Sequence, residues 1–295
     1  FSIWRFVLRT KSPGFGKEHG LKMKSNVKKS QILFTVLGII IGLFFIFPVV
    51  IMLVTSVKPD TEVFSMSLLP SVISFDGYIK IFTEYHFLSS IGNSLFVAVI
   101  TTALSLFMQS TSAYAFSRLR FRGKNIMFIL VLSTMMIPFS VLMIPLFLIT
   151  KSLHLTNTLW GIIIPIAANG YGVYLLRQFF LTIPRDLDES AFIDGASHYQ
   201  IFYKVLLPLC KPILMTLGTS YFIANWNNYL WPLIVTTSEK LRLIQAAIAG
   251  FKSERQTLWN LTFAATAVAS IPIFLLFSYF QSYIVDGIKT SGMKG

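Results

Sequence analysis

The chain has 295 residues, of which 54% are hydrophobic and 13% are charged, and its formal net charge is +13 at pH 7. Soluble domains usually carry about 25% charged residues, so this composition excludes an ordinary soluble protein and indicates an integral membrane protein. The single cysteine, Cys210, excludes an internal disulfide bond and a thiolate metal cluster.

Residues 1–29 form a polar, basic segment that holds eight lysines and arginines but only one acidic residue, Glu18. The chain opens on Phe1 and Met23 precedes a further basic stretch, so we expect residues 1–22 to be extra sequence or an unstructured arm. The glycines in this segment lack the spacing of a phosphate-binding loop, and the rest of the sequence supplies none. The sequence therefore predicts that this chain binds no cofactor, ATP included, by itself.

Residues 30–295 are predicted to form an all-α transmembrane domain. They contain six apolar stretches, each long enough to cross about 30 Å of hydrocarbon at about 1.5 Å per residue. The first stretch is too long for a signal peptide and no small-residue cleavage site follows it, so we interpret it as a retained anchor. The predicted spans are 31–56, 89–117, 125–149, 157–180, 209–236 and 258–284.

The positive charges predict the orientation of these spans. With the N-terminus inside, the inner segments hold 18 lysines and arginines and the outer segments hold 7. Cytoplasmic loops are enriched in these residues, so the sequence predicts that both termini and the segment 184–212 lie in the cytoplasm. The same distribution explains the net charge without a nucleic-acid partner.

Breaks are expected in two of the spans. Pro138 and Pro145 interrupt the third, and Pro165, Gly170 and Gly172 loosen the fourth. Such breaks are tolerated where neighbouring helices or a water-filled path satisfy the freed backbone groups. They fit either helices that bend during transport or static kinks that aid packing.

The segment 184–212, called the helical loop below, carries the signals of two short helices. Asp186 and Glu189 have the spacing of a capping box, Gly195 can end the first helix, and Ser197 with Gln200 forms a second cap-and-return pair. Pro208 is expected to end the second helix or to open the next one. Aromatic and apolar residues then recur at helical spacing: Tyr199, Phe202, Tyr203 and Leu206.

The fifth span carries a cluster of amides and aromatic rings. Three amides within four residues are costly in a membrane unless they meet partners or water. Amides beside indole rings suit sugars, because hydroxyls bond to amides and apolar sugar faces stack on rings; alternatively, the amides bind helices together and the rings lie at the membrane interface. The candidate translocation residues are Asn225, Trp226, Asn227 and Asn228.

Catalytic and metal chemistry are disfavoured by the sequence. Asp, Glu, Lys, Arg and His are absent from the interiors of the six predicted spans, which argues against a proton-coupled carrier. The four histidines are scattered over loops and form no pair at metal-ligand spacing. We therefore expect a transport subunit with no metal site, not an enzyme.

The helical loop resembles the cytoplasmic "EAA" loop of binding-protein-dependent ABC importer permeases. Its matching residues are Glu189-Ser190-Ala191, Asp194-Gly195-Ala196, Phe202 and Leu207-Pro208, with Ser190 where the family usually has alanine. Other stretches are similar to carbohydrate-importer permeases of the maltose and glycerol-phosphate type: Phe47–Pro59, Asn93-Ser94, Ser112–Arg118, Phe121–Gly123, Ile137-Pro138, Ile144-Pro145, Asn157-Thr158, Arg177, Asn225–Asn227, Trp231–Leu233 and Gly287–Gly295.

This resemblance implies one of two permease subunits of a sugar importer in a bacterial or archaeal plasma membrane. It implies a second permease, two ATPase subunits that bind ATP and Mg²⁺, and an extracellular or periplasmic solute-binding protein, with sugar as substrate and lipid around the spans. Glu189 and Asp194 would contact the ATPase groove, Gly195 would allow the bend, and Tyr199 and Phe202 would be its buried anchors. The implied ATPase-coupling residues are Glu189, Ala191, Asp194, Gly195, Ala196, His198, Tyr199 and Phe202.

Two alternatives stay open from the sequence. An ion-coupled or passive transporter for small polar solutes would use the helical loop only as a structural connector. The substrate of an importer could be a sugar or a sugar phosphate, and the main binding site could lie on either permease.

Overall fold

The computed structural model describes the backbone of residues 17–252 and 258–292 and the side chains of residues 31–252 and 258–281. Apart from one bridge residue, Lys252, the regular secondary structure in these ranges is helical. The predicted basic segment 1–29 lies outside the described side chains. The helices are α1 (Lys17–Ser56), α2 (Asp76–Thr83), α3 (Phe87–Arg118), α4 (Lys124–Thr134), α5 (Phe139–Ser152), α6 (Leu159–Ala167), α7 (Gly170–Thr182), α8 (Asp186–Ile193), α9 (His198–Leu209), α10 (Lys211–Trp226), α11 (Leu230–Val235), α12 (Ile244–Gly250) and α13 (Trp259–Gly292).

Three described helices contain a stretch that is long and apolar enough to cross a membrane: Gln31–Ser56 in α1, Phe87–Arg118 in α3 and Trp259–Gln281 in α13. Three further candidates are pairs of helices joined at a bend, of 105° between α4 and α5, 45° between α6 and α7, and 78° between α9 and α10. By length and composition, the described residues thus offer three candidate spans, or up to six if each bent pair counts as one.

The predicted third span, 125–149, is not one straight helix. It divides into α4, of 11 residues, and α5, of 14 residues, which at about 1.5 Å per residue are both shorter than the hydrocarbon core. The break falls at Pro138, which lacks an N–H group and disfavours helical geometry in the residue before it. Pro145, in contrast, lies inside α5 without ending it.

The predicted fourth and fifth spans are also interrupted, the fourth beside the residues that were expected to loosen it and the fifth at a position for which no break was predicted. Ala168 and Asn169 are extended between α6 and α7, so the fourth span breaks between Pro165 and Gly170. In the fifth, α10 ends at Trp226 and α11 begins only at Leu230. The amide cluster therefore lies at a helix end and not within a continuous helix.

The chain divides into two compact units, residues 1–54 and 55–295. The first unit contains most of α1, whose membrane-length stretch has a mean hydropathy of 3.0. In the second unit α3 packs against α2, α6, α7, α10 and α12. Buried clusters lie on several sides of α3, with Phe87 and Ala98 in one, Val97 in another and Ala113 and Tyr114 in a third. Helix α3 is thus the central support of this unit.

Candidate functional sites

The helical loop has the two helices and the sharp bend that its sequence predicts. Helix α8 ends at Ile193, and Gly195 takes a left-handed φ of +80°, a conformation that suits glycine. At the start of α9 the Ser197 N–H donates to Gln200 Oε1 at 2.7 Å, and the Gln200 N–H donates to Ser197 Oγ at 3.4 Å. The predicted capping box at Ser197 is therefore confirmed.

The cap predicted for α8 is wrong. Arg185 occupies the N-cap position without a side-chain bond, and its carbonyl accepts the N–H groups of Asp188 and Glu189. Asp186 is already within the helix, so it cannot form a capping box with Glu189. The acidic residues of the first turn still lie where the positive end of the helix dipole favours them.

Pro208 lies in the first turn of a short α-helical segment, Leu207–Leu209, which is the second of the two positions predicted for it. The helix continues to Leu209, and Ile201–Leu206 wind as a π-helix just before the proline. A wider turn accommodates a residue that has no N–H group to donate and whose ring would crowd the preceding turn. The chain then bends by 78° into α10.

Phe202 is buried within its own chain, with 4% of its surface exposed. Its ring lies 5.2 Å from that of Tyr114 on α3, and the Tyr114 hydroxyl lies 3.2 Å from His198 Nδ1. Phe202 is therefore buried within this chain and not available to a partner's groove in this conformation, because its ring fills a site beneath the loop; its role in coupling stays a prediction. Tyr199 is 71% exposed and rests beside Tyr203.

The outward face of the helical loop combines apolar and acidic side chains. Ile193 is 86% exposed and Phe192 is 44% exposed, and the nearby carboxylates Glu189 and Asp194 are exposed as well. Exposed apolar residues with a polar rim are typical of protein interaction surfaces. Ile193 and Phe192 were not among the predicted coupling residues, because their exposure depends on how α8 packs against the helices beneath it. Ala191 and Ala196 are half-buried and pack toward the core beneath.

The breaks between α4 and α5, between α6 and α7, and between α10 and α11 meet at one cavity. It has a volume of about 550 Å³ and is lined by residues next to the α4–α5 break, the α6–α7 break and the end of α10, a size within the usual range of ligand sites. Its polar lining residues are Thr134, Asn169, Tyr171, Asn225 and Asn228, among apolar neighbours such as Phe139 and Pro165.

The cavity separates the four predicted translocation residues into two pairs. Asn225 and Asn228 line it. Trp226 does not, because it is 1% exposed and its Nε1–H donates to Ala269 O on α13 at 3.0 Å. Asn227 lies apart from the cavity and accepts a hydrogen bond from Gln245 Nε2 at 3.0 Å. Two of the four predicted translocation residues thus line this cavity and two do not, and a role in translocation stays a prediction for all four.

Asn169 and Tyr171 are cavity residues that the sequence analysis missed. The Asn169 side chain caps α7 by accepting the Tyr171 N–H at 2.7 Å. An asparagine followed by Gly170 is a helix-start signal that was available in the sequence. A Cβ on Gly170 would lie 2.6 Å from Val131 O, so the glycine permits α7 to begin against α4.

Among the described residues, no group of three or more His, Cys, Asp or Glu is placed to hold a metal ion.

Comparisons with known proteins place these features in context. Residues 109–290 match the family described as "Binding-protein-dependent transport system inner membrane component". The arabinooligosaccharides transport system permease protein AraQ of Bacillus subtilis is 33% identical over 90% of this chain and 96% of its own length. The trehalose/maltose transport system permease protein MalG of Thermococcus litoralis is 30% identical over 92% of this chain and 100% of its own.

A solved structure is also similar. It is the crystal structure of a bacterial ABC transporter involved in the import of the acidic polysaccharide alginate. The likeness covers 92% of this chain and 99% of that one, with a TM-score of 0.78 and 26% identity.

Proposed function

The chain belongs to the family of binding-protein-dependent transport system inner membrane components, and from this membership we propose that it is a permease subunit of an ATP-driven importer for a sugar or oligosaccharide. The similar permeases named for arabinooligosaccharides and for trehalose and maltose support this substrate class. The observation that carries the proposal is the exposed apolar and acidic surface of the helical loop, which a motor subunit can grip.

We propose that residues 30–295 form a six-span domain in the plasma membrane of a bacterium or archaeon, with both termini inside. Each of the bent pairs α4–α5 and α6–α7 then counts as one span. The fifth span is α10 with the short α11 that follows it, while α9 belongs to the helical loop and not to a span. The helical loop between the fourth and fifth spans lies in the cytoplasm under this topology. The excess of lysine and arginine in the inner segments supports it.

The helical loop is the proposed coupling element to an ATPase subunit. Tyr199, Ile193 and Phe192 supply its apolar contacts, and Glu189 and Asp194 supply charged contacts at the rim. Gly195 makes the bend that presents both helices. The remaining coupling residues act from beneath, as spacers or anchors of the loop: Ala191, Ala196, His198 and Phe202. ATP and Mg²⁺ are assigned to the partner ATPase subunits.

The cavity at the helix breaks is the proposed part of the translocation route on this subunit. Asn169, Asn225 and Asn228 provide amide groups for hydroxyls, and Tyr171 provides a ring on which a sugar face can stack. A second permease completes the route, and a solute-binding protein delivers the sugar from outside. Discontinuous helices that meet at a polar cavity are a recurrent design of transporter sites.

Reconstitution tests this function. The complex of this chain with its partner permease, ATPase subunits and binding protein is placed in proteoliposomes and offered labelled arabino-oligosaccharides, trehalose and maltose. We expect import of at least one sugar that requires ATP and stops when the ATPase catalytic carboxylate is replaced. Import that persists with the inactive ATPase and follows a sodium or proton gradient would establish the ion-coupled alternative, and solute passage without either energy source would establish a channel.

A further inference from the structure

Arg118, the last residue of α3, forms an ion pair with Asp188 in the first turn of α8. Arg118 Nε lies 2.8 Å from Asp188 Oδ2, and the two side chains are only 5% and 11% exposed. The same guanidinium donates through Nη2 to Ile183 O at 2.9 Å. One arginine therefore holds both the entrance to the helical loop and the first helix within it.

A second attachment lies one turn earlier on α3. Tyr114 contacts α9 through His198, at 3.2 Å from its hydroxyl, and through the ring of Phe202. Successive turns of α3 thus bind α8 and α9 separately. A rotation of the loop that keeps both contacts therefore turns that helix as well.

Stability alone is a poor explanation for the ion pair. Burial raises the pKa of the Asp188 carboxyl above its usual value, even though Arg118 and Arg185 act to lower it, and Glu189 raises it further. Asp188 Oδ1 receives no hydrogen bond from the described residues. Removing such charges from water often costs more than their attraction returns. The clear structural consequence of the pair is that it fixes the position of α8 on α3.

The ion pair lies beside a small pocket that is lined mostly by polar residues. This pocket of about 110 Å³ is lined by Tyr114, Arg118, Arg185, Asp188, Glu189, Phe192 and His198. The titratable and charged groups that line this pocket with Asp188 come from three helices: Arg185 and Glu189 from the start of α8, Tyr114 and Arg118 from α3, and His198 from α9. Among these, only Arg118 forms an ion pair with Asp188 within the described residues.

We propose that Arg118 and Asp188 are positioning residues that transmit movement of the helical loop to α3. This inference rests on the proposed coupling function. Motion that an ATPase subunit imposes on α8 is carried by the ion pair into the central helix of the bundle. Helix α3 packs against α6, α7 and α10, the helices whose ends line the cavity.

The test compares import with ATP hydrolysis in the reconstituted complex, using the labelled sugar that the wild-type complex imports. Asp188→Asn and Arg118→Gln are expected to lower the amount of sugar imported per ATP hydrolysed, by roughly 5- to 150-fold, the usual range of coupling between sites. Asp188→Glu and the exchange variant Arg118→Asp/Asp188→Arg, which keep an ion pair, are expected to recover part of this ratio. Asp186→Asn, an exposed carboxylate on the same helix, is the matched control and should behave as wild type.

The ratio of sugar imported to ATP hydrolysed distinguishes a loss of transmission from a loss of folding or assembly. A merely structural role would lower assembly, hydrolysis and import together and leave the ratio unchanged, which would overturn the proposal. If the two neutral variants fail to assemble, the exchange variant decides: an assembled complex with a recovered ratio supports the link, and an assembled complex that hydrolyses ATP without import refutes it. Wild-type import that needs no ATP would overturn the proposed function itself.

Discussion

The helical loop is shaped by interactions between residues that are close in sequence, whereas the cavity is formed by residues of helices that are distant in sequence. The second helix of the loop begins at a cap formed by two residues three positions apart, Ser197 and Gln200, whose side chains and backbone groups bond to each other. The cavity joins Thr134, Asn169 and Asn228, which are far apart in sequence and meet only because α4, α7 and α10 pack together. Local hydrogen bonds thus made the loop predictable, while the cavity depends on tertiary contacts.

The largest expected effect is loss of import at the bend of the loop. Gly195→Pro should abolish sugar import, because proline holds φ near −65° and the native φ is +80°. It also removes the Gly195 N–H that donates to Phe192 O at 3.0 Å. Import by proteoliposomes and co-purification of the subunits are the measurements, and we expect assembly to be largely kept.

Gly195→Asn is the matched control for this substitution. Asparagine tolerates the left-handed conformation better than most residues, and a Cβ at position 195 would meet no atom within 4 Å. We expect this variant to retain part of the import rate. Wild-type uptake by the proline variant would show that the bend has no coupling role.

We expect alanine substitutions of two aromatic residues of α9 to affect different properties, protein stability in one case and binding of the ATPase subunit in the other. Phe202→Ala should lower the free energy of unfolding by about 3–5 kcal/mol, because it empties a site in the buried cluster beneath the loop. Tyr199→Ala should change that free energy by less than about 0.5 kcal/mol, since the ring is exposed, but should weaken binding of the ATPase subunit. Denaturant unfolding in detergent and ATPase pull-down measure the two quantities. Equal stability losses in the two variants would contradict this division.

Substitutions of the amides at the end of α10 test whether the cavity contacts the sugar during import. Asn225→Leu and Asn228→Leu should each raise the KM for sugar import about tenfold, the loss of roughly one hydrogen bond of 1.4 kcal/mol. Asn227→Leu is the control, because this residue bonds to Gln245 away from the cavity, and its KM should stay within about twofold of wild type. A KM that rises only in the Asn227 variant would place the sugar route elsewhere.

The smallest expected effect is at the capping box. Ser197→Ala should lower the free energy of unfolding by about 1 kcal/mol, the usual value of a helix cap. Ser190→Ala is the comparison, because Ser190 Oγ only donates to Leu187 O on the exposed face of α8, and alanine is the better helix former. Thermal unfolding of both variants should show a loss for Ser197 and no loss for Ser190.

The three largest membrane-length helices were close to their predicted positions. The stretches predicted at 31–56, 89–117 and 258–284 correspond to Gln31–Ser56, Phe87–Arg118 and Trp259–Gln281. Long apolar runs form helices in a membrane because every backbone group must then find a partner within the same segment. This requirement acts along the chain, so composition alone reveals it.

The sequence by itself determined which segments are apolar helices, where the helical loop bends and where its second helix begins, because these features follow from short-range patterns of burial, backbone freedom and capping. Only the tertiary structure decided that Phe202 points into the core, that Trp226 bonds to Ala269 while Asn225 and Asn228 line the cavity, and that Arg118 meets Asp188. Each of these outcomes depends on which helix packs against which residue. A pattern along one chain cannot fix that choice, since the partner atoms lie far away in sequence and on another helix.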